Sequence, residues 1–198
     1  MDFLERRYNE ANRRRLAAAF LGFVVICVPL FASTPSGTPQ KGAAPSAGPV
    51  QLSKELETLA YFTGHWSCQG VFPSNGKQIA SEIVFAPDLE GAWLTVRHDD
   101  LPPNRFHAFE MWGFDKEAKQ FVNFIYDNFG GARKFTSSGW TENTLIWAGE
   151  TPKASPATLE RFVFQRSDSG GPGQFVVNYE VKRGSADWAV GDTLTCKR

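Results

Sequence analysis

The chain has 198 residues, enough for one ordinary domain behind a leader. Its formal charge is zero, but residues 1–33 hold five Arg against Asp2, Glu5 and Glu10, which leaves a net of −2 on the remainder. No Lys/Arg cluster beyond residue 33 supplies the basic footprint that nucleic acid requires, so no nucleic-acid partner is expected.

Arg13-Arg14-Arg15 precedes an apolar run from Leu16 to Ala32. A charged region ahead of an apolar stretch marks a secretory signal or an N-terminal anchor. The run lies at the border between signal cores and spanning helices of roughly 17–25 residues. Residues 1–33 are therefore expected either to be cleaved after Ala32 or to stay in the membrane through residues 13–32. Leu30 is a poor small-residue partner for cleavage, so both outcomes stay open. Cys27 lies within the apolar run behind the bulky Ile26, which disfavours a lipoprotein site. Residues 34–50, rich in Pro, Gly and Ser, read as a flexible spacer. The domain behind the spacer is expected outside the cytoplasm: periplasmic, secreted, or anchored in the inner membrane.

Leu52 to Phe62 places apolar residues at 52, 56, 59 and 60 behind Ser53, the signature of a short helix with one apolar face. Beyond it lie ten segments of strand length, near 65–73, 78–86, 91–99, 105–114, 120–128, 132–140, 143–150, 158–167, 174–183 and 187–197. Turn residues such as Ser74-Asn75-Gly76, Pro87-Asp88 and Gly130-Gly131 separate them. The 17 Phe, 6 Trp and 4 Tyr suit the half-buried face of a sheet. The expected fold is all-β: an antiparallel up-and-down barrel of about ten strands spanning 51–198, closed so that no strand edge is left bare.

Gly64-His65-Trp66, after a short helix and at the head of the first strand, resembles the G-x-W start of lipocalin-type (calycin) barrels. Gly113-Phe114-Asp115-Lys116, then Lys119-Gln120-Phe121-Val122 and Asp127, is similar to the central hairpin of a bacterial lipocalin-like family of unknown function. The resemblance implies that Trp66 plugs one barrel end beside Gly64, with a basic residue of the last strand, Lys197 or Arg198, lying over it. Some calycin-type barrels hold haem on a C-terminal histidine. This chain has none after His107, so no cofactor is expected.

Behind the leader two cysteines remain, Cys68 on the first strand and Cys196 on the last. In a closed meander those strands are neighbours, and export would allow a disulfide; two buried free thiols are the alternative. Among the three histidines no metal-binding, nucleotide or nucleophile motif appears, so no metal and no catalytic residue is assigned.

If Leu101-Pro102-Pro103-Asn104 is a four-residue turn, His98 falls opposite His107, Val96 opposite Phe109 and Leu94 opposite Met111. That face is the more apolar, and so is expected to line the interior, with both imidazoles at the mouth and Asp127 within reach of His107. Arg97 and Glu110 would then pair on the outer surface. The expected function is an exported barrel without catalysis that binds a small hydrophobic ligand through Leu94, Val96, His98, His107, Phe109, Met111 and Asp127. Two alternatives stand beside it: a structural or partner-binding envelope module, and a small cavity enzyme using His98 and His107.

Overall fold

The fold is seen in a computed structural model that describes residues 50–149, 158–166 and 173–198. The expectations for residues 1–33 and for 34–49 of the spacer lie outside the described residues. Strands β1 (Gly64–Phe72), β2 (Lys77–Asp88), β3 (Trp93–Asp100), β4 (His107–Asp115), β5 (Gln120–Asp127) and β6 (Ala132–Ser137) succeed one another around the sheet. A two-residue strand β7 (Trp140–Thr141) precedes β8 (Thr144–Gly149), β9 (Thr158–Arg166), β10 (Gln174–Arg183) and β11 (Ala189–Lys197). All pairings are antiparallel, and β1 pairs with β11 while β6 pairs with β8. These two contacts close ten strands into a barrel, with β7 a short flap on β8.

The alternation in the sequence drives this closure. In β1, Trp66 and Cys68 are buried between exposed His65, Ser67 and Gln69; in β2, Ile79, Ser81, Ile83 and Phe85 are buried in alternate places. Side chains of period two deliver one apolar face to the interior and one polar face to water.

The expected helix over Leu52–Phe62 is a shorter 3₁₀ turn, Glu57–Phe62. Ser53 does not cap it with its side chain; its carbonyl accepts the N–H groups of Leu56 and Glu57 at 2.9 and 3.0 Å. The turn seats Leu56, Leu59 and Phe62, all fully buried, in one end of the barrel. Phe62 stacks on Phe85 and Trp140 at 5.3 and 5.5 Å and meets Trp112, Phe164 and Phe175 edge-on. Offset and edge contacts of this kind add to the area buried.

Trp66 completes the plug. Its indole N–H donates to the Phe62 carbonyl at 2.6 Å, and the Arg198 guanidinium lies 4.3 Å over its ring while donating to the Tyr61 carbonyl. Lys197 takes no part in this: it pairs with Ser67 and is exposed, because one step along a strand reverses the face. Gly64 opens β1 at φ 123°, a backbone state that side chains disfavour.

Cys68 and Cys196 are direct register partners, 4.0 Å apart at Cα, and form a disulfide across the β1–β11 closure. It ties residues separated by 128 positions, so it removes much freedom from the unfolded chain. Replacing both cysteines by Ser is expected to lower unfolding stability by about 2–5 kcal/mol in urea titrations, and identical midpoints would contradict this. Phe62→Ala is expected to cost about 3–5 kcal/mol in the same assay, the range for truncating a fully buried aromatic.

Candidate ligand site in the barrel interior

The loop between β3 and β4 decides what enters the barrel. It runs from Leu101 to Arg105, with the Asp100 N–H donating to the Phe106 carbonyl at 2.9 Å as the last rung. Five residues rather than four shift β4 by one place. Leu94 therefore pairs with Trp112, Val96 with Glu110 and His98 with Ala108. A slip of one residue turns a whole strand over.

Leu94, Val96 and His98 face inward as expected from the sequence, but their expected partners do not. His107, Phe109 and Met111 lie on the outer face, with Phe109 40% exposed. His107 does not meet His98; its Nδ1 lies 2.7 Å from Asp99, which also binds Arg97 at 2.9 Å on that outer surface. Arg97 first, then His107, holds the Asp99 carboxyl below its ordinary range, against the opposing effect of burial. The expected Arg97–Glu110 surface pair does not form, since Glu110 points inward. Asp127 faces inward opposite Ala108, not His107. It accepts the N–H groups of Phe129 and Gly131 at 3.0 and 2.8 Å and so binds the β5–β6 turn.

Residues opposed on neighbouring strands share a face, so the ladder identifies the interior. Beyond the aromatic plug it carries a polar layer centred on Glu110, which sits between Val96 and Ile125, both almost fully buried. The Glu110 Oε2 accepts from Trp112 Nε1 and Asn123 Nδ2, each at 2.8 Å. Trp112 and Asn123 are 1% exposed, yet Glu110 itself is only half-buried. An inward carboxylate ringed by buried neighbours keeps accessible surface only where side chains leave the interior unfilled. Phe162 and Tyr179 are also inward and half-buried, with rings 5.1 Å apart.

At the end away from the plug the inward groups are mostly charged. Asp100 accepts from Ser81 Oγ at 2.6 Å and lies 3.2 Å from His98 Nε2. Arg133 reaches Asp127 at 3.3 Å and Glu160 at 3.4 Å, spanning the narrow two-pair junction of β6 with β8. Burial drives the Tyr179 hydroxyl pKa up, helped by Glu160, so the ring stays neutral. Burial also raises the Asp192 carboxyl to about 7, with the His98 charge opposing and Asp100 reinforcing the rise. A recess of about 270 Å³ between Gln69, Gln78 and the Leu101–Asn104 loop has no titratable side chain in its lining.

Among the described residues, no three His, Cys, Asp or Glu side chains come together in a group suited to a metal ion. The sequence reading put Glu110 on the outer surface and gave no site role to Asn123, Trp147, Arg133 or Asp192. On β4 the face His107-Phe109-Met111 is the more apolar of the two, yet the loop length turns Ala108-Glu110-Trp112 inward.

No protein-family model matches the chain, and no curated protein matches it. Among solved structures it is similar to the crystal structure of Rv2717c from M. tuberculosis, with a TM-score of 0.53 and 10% identity, covering 75% of this chain and 99% of that one. At that identity the likeness speaks to the fold alone.

The Asp192 shift sets a pH dependence. A carboxyl whose pKa is higher folded than unfolded binds more protons in the native state, so its contribution is favourable below about 4 and is lost as pH rises towards about 7. Asp192→Asn is expected to flatten the fall in thermal stability between pH 4 and pH 8. A variant whose profile tracks the parent across that window would contradict the assignment.

Proposed function

We propose that this chain is an exported, lipocalin-like binding barrel without catalysis, whose interior takes one small molecule with an apolar body and a polar group. The observation that carries this is Glu110: an inward carboxylate, held by Trp112 and Asn123, that keeps accessible surface inside a barrel plugged at one end. Small-molecule sites combine mostly apolar walls with a few placed polar groups, and eight- to ten-stranded barrels can hold one ligand. The lipocalin-like resemblance rests on the Gly64-His65-Trp66 start and the Gly113–Val122 hairpin, and gains support from the Arg198–Trp66 contact. The extracytoplasmic location is supported by the basic-then-apolar leader sequence and by the Cys68–Cys196 disulfide, since such bonds persist in oxidising compartments. The cavity enzyme built on His98 and His107 has lost its geometry, because the two imidazoles stand on opposite faces of one hairpin.

A partner-binding role draws on a different observation. The outer face of β4 and β5 presents Phe109 and Tyr126, direct register partners 40% and 52% exposed, beside Met111 and Phe124.

The test is to express the full chain in an exporting host, purify it, extract with organic solvent and identify what is released by mass spectrometry. A stoichiometric small molecule is expected, or, from an empty preparation, saturable uptake of an environment-sensitive apolar dye. An empty extract together with no uptake would sink the binding reading and favour the outer face.

A further inference from the structure

We infer that the open end of the barrel, on the side formed by β2–β6, docks on an anionic lipid surface. The inference goes beyond the proposed function. It shares with that reading the membrane-side location read from the leader, and it does not depend on a guest in the interior.

The turns supply the first argument. Asp127 accepts the Phe129 and Gly131 N–H groups, and Gly130 takes φ 83°. The Asn128 amide accepts from the His107 N–H at 3.0 Å and donates to the Arg105 carbonyl at 2.7 Å. The β5–β6 turn is thus held by its polar groups, while the Phe129 side chain beside Gly130 is 54% exposed. Half-buried Phe106 stands 6.4 Å from its ring. The β3–β4 loop repeats the pattern. Its Leu101 N–H donates to the Ala80 carbonyl at 2.7 Å, and the Asn104 amide donates to the Gln78 carbonyl at 3.3 Å. Pinned to β2 in this way, the loop leaves Leu101 41% exposed beside exposed Pro102 and Pro103. A loop fixed by hydrogen bonds that still holds a large apolar side chain in water forgoes the gain of burying it. That arrangement is explained if the loop enters an apolar phase.

The apolar surface continues down the side of the barrel. Outward-facing register partners run Val84–Arg97–Phe109–Tyr126 and, in the next outward row, Ala86–Thr95–Met111–Phe124. Five of the nine exposed large apolar side chains among the described residues, Val84, Leu101, Phe109, Tyr126 and Phe129, lie on this side and its lip. Exposed apolar residues scattered singly are ordinary, whereas a concentrated set marks an interaction surface.

Charge selects the partner. From the Met111–Phe124 row to the open end, β2–β6 and their loops present Lys77, Arg97, Arg105 and Lys134 on the outside or the lip, against Glu82 and Asp99. Glu82 is bound by His65 and Ser67, and Asp99 by Arg97 and His107. Asp100 and Asp127 point inward, their side chains 7% and 9% exposed. Across the mouth, exposed Arg183 and Asp187 offset each other. Residues 34–198 carry a net of −2, so the excess of cations here is local. Phe and Tyr flanked by Arg and Lys match a lipid–water boundary, where rings enter the headgroup region and cations meet anionic headgroups.

Paramagnetic NMR on the isotope-labelled full chain tests this in bilayer discs of phosphatidylcholine with about a quarter phosphatidylglycerol, doped with a lipid that bears gadolinium on its headgroup. Orientation is read rather than retention, so an anchoring leader does not decide the result. The amide signals of Leu101, Tyr126 and Phe129 are expected to lose most of their intensity. Leu89 near the plug end and Ile146 on β8, also exposed and apolar, are expected to keep theirs. Discs of phosphatidylcholine alone are expected to give a clearly smaller loss, and so is the Leu101→Ser/Phe129→Ser double variant, read at Tyr126. An equal loss at Leu89 or Ile146 would overturn the docking side, as would a double variant that keeps the parent pattern. Equal loss without phosphatidylglycerol would overturn the anionic partner. Absence of loss at Leu101, Tyr126 and Phe129 would overturn lipid docking outright and leave the face to a protein partner. None of these outcomes bears on the guest in the barrel, which solvent extraction judges.

Discussion

Pairing of the first strand with the last is the constraint that creates the interior. Once β1 meets β11, with Cys68 bonded to Cys196 at the junction, the described ladder runs round to the β6–β8 contact and becomes a ring. A ring has an inside and an outside, and every strand must send alternate residues to each. Closure also removes the bare edges through which an open sheet would pair with other chains. The 3₁₀ turn can then act as a stopper, because Phe62 finds Phe85, Phe164, Phe175 and Trp112 converging on it from strands far apart in sequence.

The plug and the polar layer divide the interior into an apolar end and a polar one. Around Phe62 and Trp66 the aromatic groups fill the space, and the indole N–H of Trp66 is satisfied by the Phe62 carbonyl. One layer further along, Asn123 Oδ1 and Trp147 Nε1 are buried without a hydrogen-bond partner, in a place where unused capacity is costly. Filling that layer with apolar side chains would give a more stable barrel. The carboxyls nearer the open end, with Asp192 held partly protonated by burial, extend the same acidic character outward.

Much of the architecture was legible in the residues. All ten expected strand segments correspond to barrel strands, because turn residues and alternation are local signals. The meeting of Cys68 and Cys196 was legible too, since closure makes the first and last strands neighbours, and the bond between them is the first of the two outcomes left open. The interior of the β3–β4 hairpin was not. Apolarity favoured the face that lies outside, and the assignment hinged on whether Arg105 belonged to the loop or to the strand. That single residue moved His107, Phe109 and Met111 outside and brought Glu110 and Trp112 in. The helix was overextended for a related reason: Leu56, Leu59 and Phe62 satisfy both a helical period and a tight 3₁₀ plug, and only the barrel end selects between them.

The central claim is that a partly hydrated, acidic chamber lies within the barrel, with Glu110 beside Val96. Isotope-edited NMR on the full chain reads this directly. Through-space contacts are expected from the Val96 methyls to the Glu110 side chain, together with water contacts at the Glu110 side chain. Contacts from the Val96 methyls to the Phe109 ring, with a dry Glu110 side chain, would contradict it.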